Sequence, residues 1–192
     1  MPASFIVRIV FWLWFGAAVA AGHFLVLQRI PPFAVQGIIF GLTAVLILAY
    51  FRLAPVRAWV DSLDLRILVL IHLTRFVGVY FLVLYQRGEL PRAFAVPGGV
   101  GDIIVATMAL PVALAPLEEG PRRRAIGIWN VVGFVDILLV VITAARINLT
   151  FPSELRALTH LPLSLLPTFL VPLIIATHII IFARTARAQP RV

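Results

Sequence analysis

The chain has 192 residues, and neither cysteine nor lysine is among them. Without cysteine it can form no disulfide, no thiolate metal site and no cysteine nucleophile. Without lysine it cannot hold a retinal or another carbonyl compound as a Schiff base. The HExxH, Walker-loop and GxSxG patterns are missing as well. These absences disfavour an enzyme without deciding the question.

Charge is also scarce, because only 12% of the residues are charged while 62% are hydrophobic. The mean hydropathy is +1.07. A soluble domain of this size could not bury so much apolar surface, so the composition predicts a polytopic membrane protein of the all-α class. The net charge of +8 comes from arginines in short loops between apolar runs. Membrane topology accounts for this pattern better than nucleic-acid binding does.

Six apolar runs have the length of about 20 residues that a helix needs to cross a bilayer. The predicted spans lie near residues 5–27, 33–53, 65–85, 94–117, 125–145 and 161–183. The connections are short, and no linker rich in serine or glycine separates them. We therefore predict a single transmembrane domain over residues 1–192, folded as a bundle of six helices.

The distribution of arginine predicts the orientation of these helices. Nine arginines lie in the second and fourth loops and the C-terminal tail, against five in the other three loops. Because arginine-rich loops stay in the cytoplasm, both termini are expected there, in the cell inner (cytoplasmic) membrane.

The fourth span has an unusual sequence, FAVPGGVGDIIVATMALPVALAPL. Pro97, Gly98, Gly99 and Gly101 come just before Asp102, and Pro111 falls in the second half. Interrupted helices often carry binding sites in transporters, so the pattern predicts an interrupted fourth helix. The alternative is that the helix begins near residue 100, with Asp102 in its first turn, where a carboxylate complements the helix dipole.

The third span, ILVLIHLTRFVGVYFLVLY, carries an arginine near its middle. Arg75 lies about 13 Å inside the cytoplasmic boundary at the rise of an α-helix, and Asp136 about 18 Å inside. A charged group at such depth is costly and generally faces a partner within the protein. We therefore expect Arg75 to face inward and to pair with Asp102 or Asp136. Asn130 shares a helix face with Asp136, is expected near the level of His72 and His178, and is a further candidate for this site.

Two histidines complete the polar set. His72 shares a face with Arg75, and His178 is expected at the same depth as His72. Two histidines on neighbouring helices are candidate axial ligands of a haem b iron, or members of a quinone site. His72 and His178 are therefore the candidate metal ligands of the chain.

Three interpretations of these residues remain open. The polar set could be a buried ion pair that only fixes helix packing. It could serve a carrier of protons or small solutes, in which Arg75 holds an anionic group and Asp102 or Asp136 takes up and releases the proton. It could also belong to a redox subunit with haem or quinone. We favour the carrier as the functional hypothesis.

The partners expected from sequence are the lipid bilayer and further membrane proteins, with no nucleic acid. The small size and short loops also suit an accessory subunit of a larger complex or a homo-oligomer.

Overall fold

A computed structural model describes residues 3–187 of the chain, and these residues form no β-strand. Helices make up 87% of the structure. The α-helices are α1 (Ala3–His23), α2 (Pro32–Arg52), α3 (Ala54–Ser62), α4 (Leu65–Leu70), α5 (Val77–Gln86), α6 (Arg92–Leu114), α7 (Glu119–Thr150) and α8 (Val171–Arg187). Shorter helical turns of 3₁₀ type cover Val26–Gln28, Ile71–Phe76 and Pro152–Thr159, and a π-helical turn covers Leu166–Leu170.

Six helical segments within residues 3–187 are long and apolar enough to cross a membrane. They are Phe5–His23, Pro32–Arg52, Leu65–Gln86, Arg92–Leu114, Glu119–Thr150 and Leu166–Arg187. This number agrees with the six spans expected from sequence. The fifth segment is longer than its predicted range of 125–145, because α7 continues as one helix over 32 residues.

The expectation of an interrupted fourth helix is wrong. α6 runs without a break from Arg92 to Leu114, and Pro97 and Pro111 both lie inside it. Each proline removes the hydrogen bond that its own N–H would have donated four residues back. The remaining backbone hydrogen bonds are enough to keep the helix continuous.

The change in helix geometry falls in the third segment instead. There α4 leads into a 3₁₀ turn over Ile71–Phe76, and α5 follows directly. The start of α4 is fixed by Asp64, whose side chain accepts a hydrogen bond of 2.9 Å from the backbone N–H of Arg66. Side chains three residues apart are eclipsed in a 3₁₀ helix, so His72 and Arg75 project from the same side of the turn.

The structure divides into two compact units. The first comprises residues 1–62 and 143–176. Aromatic side chains pack together within its described part, where the ring centre of Phe169 lies 4.5 Å from that of Trp14 and 5.1 Å from that of Phe15. The indole N–H of Trp14 donates a 2.9 Å hydrogen bond to the backbone oxygen of Thr168 in the π-helical turn.

The second unit comprises residues 63–142 and 177–192. Within it the backbones of α5 and α6 approach closely where Gly78 faces Gly99. A methyl group on Gly78 would lie only 2.5 Å from the carbonyl oxygen of Gly99. The indole N–H of Trp129 on α7 donates a 3.0 Å hydrogen bond to the backbone oxygen of Val105 on α6. The candidate site lies among these helices.

Candidate functional site

Arg75 lies at the centre of a cluster with two carboxylates, which we call the arginine–aspartate cluster (Arg75, Asp102 and Asp136). Its Nε donates a 2.6 Å hydrogen bond to Asp102 Oδ1 on α6, and its Nη2 donates to Asp136 Oδ2 on α7. The remaining nitrogen, Nη1, donates to the backbone oxygen of Gly133 at 2.9 Å. The inward-facing ion pair expected from sequence is therefore present, and both aspartates take part in it.

The guanidinium is enclosed, since only 1% of the Arg75 side chain is exposed. All three of its nitrogens donate to protein oxygens in the fixed plane of the guanidinium, whereas the three donors of a lysine ammonium all lie on one nitrogen. An anionic solute could reach this group only by displacing an aspartate. The accessible group of the cluster is therefore the carboxylate of Asp136 and not the guanidinium.

The two carboxylates differ in exposure. The side chain of Asp102 is 5% exposed, whereas that of Asp136 is 20% exposed. With both acids ionised, the cluster carries one more negative than positive charge. The excess negative charge can therefore be carried by Asp136, whose side chain is partly exposed.

Glycine backbones provide the space for both aspartate side chains. A methyl group on Gly101 of α6 would collide with Asp136 Oδ1, and one on Gly78 of α5 would lie 2.8 Å from the Cβ of Asp102. The carboxylate of Asp136 therefore lies directly against the backbone of α6, and the Cβ of Asp102 lies against the backbone of α5. The spacing of these glycines in the sequence does not distinguish them from glycines that contact nothing, so this role was not predicted.

His72 and His178 lie side by side, with ring centres 4.2 Å apart, and we call them the imidazole pair. Both residues are fully buried. The indole of Trp129 packs against them, with ring-centre distances of 4.9 Å to His72 and 5.7 Å to His178. Trp129 lacks a titratable group and was not recognised as part of the site from sequence.

The hydrogen bonds of Asn130 fix the orientation of one imidazole. Its side-chain NH₂ donates to the backbone oxygen of His178 at 3.0 Å, so its amide oxygen faces His178 Nδ1 at 2.8 Å. Nδ1 must then be the donor, and in a neutral ring Nε2 is left as the acceptor. Asn130 was expected on the helix face of Asp136 near the level of the two histidines, and the structure places its polar atoms on one of them, His178.

The second imidazole contacts a threonine, because His72 Nε2 lies 3.1 Å from Thr177 Oγ1. The other ring nitrogens, His72 Nδ1 and His178 Nε2, are buried and make no hydrogen bond within the part of the chain that the structure describes. Thr177 precedes His178 on α8 and was not singled out in the sequence. The one feature of the sequence that could have indicated Thr177 is its position directly before His178.

Gly133 joins the two groups of residues. Its carbonyl oxygen accepts from Arg75, while a methyl group on its Cα would lie 2.7 Å from Cε1 of His178. The imidazole pair therefore packs against the same short piece of α7 that holds the guanidinium. The structure thus brings all six predicted site residues into one unit, as two adjoining groups.

The packing of the imidazole pair does not fit a haem iron held between the two rings. An imidazole nitrogen lies about 2 Å from a bound transition metal, so two opposite ligands place their nitrogens about 4 Å apart and their ring centres farther still. Here the ring centres themselves are 4.2 Å apart. Among residues 3–187, no group of three or more histidine, cysteine or acidic side chains is arranged to hold a metal ion.

Together these features define an all-helical protein with six segments able to span a membrane and a buried cluster of arginine, aspartate and histidine. Residues 32–186 match the family described as Domain of unknown function (DUF8737), and the chain belongs to that family. The matched range includes every residue of both groups described above. No curated protein and no solved structure matches the chain.

Proposed function

We propose that this chain is a multi-pass membrane protein that couples the movement of a small solute to protons through the arginine–aspartate cluster. The observation that carries the proposal is the sharing of one enclosed guanidinium by two carboxylates, of which Asp136 keeps a 20% exposed side chain. Ionisable groups are expensive within a membrane and are concentrated on ion pathways and proton relays. Two acids around one arginine are more than an ion pair requires.

We further propose that the six apolar segments lie in a cell inner membrane with both termini in the cytoplasm, as the arginine bias indicates. The lipid bilayer is then the principal partner of the chain. In this setting Arg75 keeps its charge and holds Asp102 at 2.6 Å throughout the cycle. Asp136 is the group that exchanges a proton, because it alone combines contact with Arg75 and an accessible edge.

The coupling follows from charge balance. With Asp136 ionised, the cluster has one uncompensated negative charge, which a proton or a cationic solute would neutralise. With Asp136 protonated, Arg75 and Asp102 form a neutral one-to-one pair. Because a net charge in a medium of low dielectric is unfavourable, the two ligands should exclude one another at Asp136 and exchange there.

The experiment uses proteoliposomes that contain a pH-sensitive dye and carry an imposed pH gradient. Solutes of several classes (amines, amino acids, carboxylates and sugars) are added one at a time, and the internal pH is followed. We expect at least one class to accelerate the collapse of the gradient with the wild-type chain. Asp136→Asn should abolish this effect, and Asp102→Asn should reduce it.

The matched control is Glu119→Gln, which neutralises an exposed acid on the same helix. It should leave the solute-dependent pH change intact. If Asp136→Asn and Asp102→Asn both behaved like the wild type, the cluster would serve only to hold the helices together.

A further inference from the structure

The imidazole pair contains two buried ring nitrogens that make no hydrogen bond with any of residues 3–187. They are Nδ1 of His72 and Nε2 of His178, and both side chains are 0% exposed. Buried polar atoms are nearly always hydrogen-bonded, because a missing partner is costly away from water. Two such atoms on adjoining rings indicate a site for a small polar ligand.

The protonated nitrogen of His72 follows from the threonine that the ring contacts. Other helical threonines donate their hydroxyl proton to the carbonyl oxygen four residues earlier, namely Thr43, Thr168 and Thr185. With the same arrangement at Thr177 in α8, its oxygen accepts a hydrogen bond from the Nε2–H of His72. Nδ1 of a neutral His72 is then an acceptor, as Nε2 of His178 is.

The N–H donors described beside the pair are engaged elsewhere. The indole N–H of Trp129 donates to the backbone oxygen of Val105, and the side-chain NH₂ of Asn130 donates to that of His178. The ligand therefore has to supply the hydrogens for both acceptor nitrogens. Because the ring centres are 4.2 Å apart and a hydrogen bond spans about 2.9 Å, a single atom with two or more hydrogens can serve both.

The charge of the neighbouring groups favours a cation as the ligand. Gly133 lies against His178 and accepts a hydrogen bond from Arg75, so the pair adjoins the arginine–aspartate cluster. With both acids ionised the cluster has one excess negative charge, which a cation at the pair would balance. The rings of Trp129 and Phe134, whose centres lie 5.7 and 5.9 Å from that of His178, also attract cations.

We propose that the imidazole pair binds ammonium, or methylammonium, through N–H hydrogen bonds to His72 Nδ1 and His178 Nε2. This inference rests on the proposed function and names its solute, while Asp136 remains the group that exchanges a proton. Both rings are fully buried, so the site selects a small cation. Sodium has the same charge but no hydrogen to donate, and tetramethylammonium has none on its nitrogen.

The test is nitrogen-15 NMR of the full-length chain in liposomes, labelled at histidine, with ammonium chloride added at constant pH and ionic strength. We expect the resonances of His72 Nδ1 and His178 Nε2 to shift saturably, because each nitrogen gains a hydrogen bond from a charged donor. His23 and His160 are exposed and serve as internal controls that should not shift. Sodium and tetramethylammonium should leave the resonances of the pair unchanged.

Variants measure the contribution of each ring to binding. In His178→Ala the apparent Kd for ammonium, followed at His72, should rise about tenfold or more, because a hydrogen bond to a charged group is lost. Asn130→Ala keeps both imidazoles but releases the tautomer of His178, so it should also weaken binding. His160→Ala should bind like the wild type.

Because the NMR comparison uses the wild-type chain, it does not depend on the folding of any variant. No shift with ammonium, or an equal shift with sodium or tetramethylammonium, would overturn the proposal.

The two proposals can fail separately. If another solute drives proton movement through Asp136 but ammonium leaves the resonances of the pair unchanged, only the solute assignment is wrong. If ammonium shifts these resonances while Asp136→Asn retains the solute-dependent pH change of the wild type, the binding site stands and the proton-coupled function falls.

Discussion

Asp102 and Asp136 each accept a hydrogen bond from Arg75 through a carboxylate, yet the two side chains differ in exposure. Asp102 is enclosed where α5 and α6 approach through glycine, and its side chain is 5% exposed. Asp136 lies near the middle of α7, and its side chain is 20% exposed. In the proposed function the two acids therefore have different roles: Asp102 balances the charge of Arg75, and Asp136 exchanges a proton.

Removal of the arginine that both acids share should cause the largest loss of stability. Arg75→Gln leaves two carboxylates close together and leaves the oxygen of Gly133 without its donor, so the free energy of unfolding should fall by about 3–5 kcal/mol. The measurement is denaturation by increasing SDS in mixed micelles, followed by circular dichroism.

Arg123→Gln is the matched control for this variant. It breaks the exposed pair between Arg123 and Glu119, and such pairs are worth at most about 1 kcal/mol. A loss in Arg75→Gln no larger than that of the control would contradict a structural role of the enclosed guanidinium.

A methyl group on Gly78 should disturb the Asp102 side of the cluster selectively. Gly78→Ala forces α5 away from α6, because the added carbon would meet the oxygen of Gly99 at 2.5 Å and the Cβ of Asp102 at 2.8 Å. We expect a loss of about 1–3 kcal/mol in the free energy of unfolding, typical of overpacking.

Gly127→Ala provides the control, since nothing lies within 4 Å of a methyl group there. That variant should be neutral or more stable by about 0.5–1 kcal/mol through its helix propensity. Equal stabilities of the two alanine variants would argue against the close approach of α5 and α6.

The last comparison tests the two acids directly by neutral substitution. Asp102→Asn should lower the free energy of unfolding by about 1.5–3 kcal/mol, since it weakens an enclosed charged hydrogen bond. Asp136→Asn should cost less than about 1 kcal/mol, because its side chain has access to solvent and its loss removes the excess negative charge. Both variants are measured in the same SDS titration. The reverse order would reverse the roles assigned to the two carboxylates.

Much of the fold could be predicted from hydropathy, because six long apolar runs have few alternatives to six helices. Hydropathy reports length and composition, not backbone geometry. It could not show that the 3₁₀ turn falls at Ile71–Phe76, or that α6 stays continuous through Pro97 and Pro111. Whether a proline breaks a helix depends on the packing around the freed carbonyl, which the sequence does not contain.

The pairing of Arg75 with an aspartate could also be predicted, because a buried charge requires an opposite one. The sequence could not show whether Asp102, Asp136 or both would pair with Arg75. That outcome depends on how far each helix rotates about its axis and how closely it approaches α5. The same limit explains Asn130, whose helix face was predicted but whose partner is His178. The close approaches at Gly78, Gly99 and Gly101 fix these rotations, and their spacing resembles that of glycines without contacts.

The length of α7 has a consequence for the position of that helix in a membrane. Its 32 residues extend about 48 Å, well beyond the hydrocarbon thickness of about 30 Å. An upright α7 would therefore protrude by about three turns in total, and the turn that bears Arg122, Arg123 and Arg124 would stand among the lipid headgroups or in the water beyond them. Such a basic projection would anchor the helix at the phosphate layer and set the height of Asp136 relative to the bilayer.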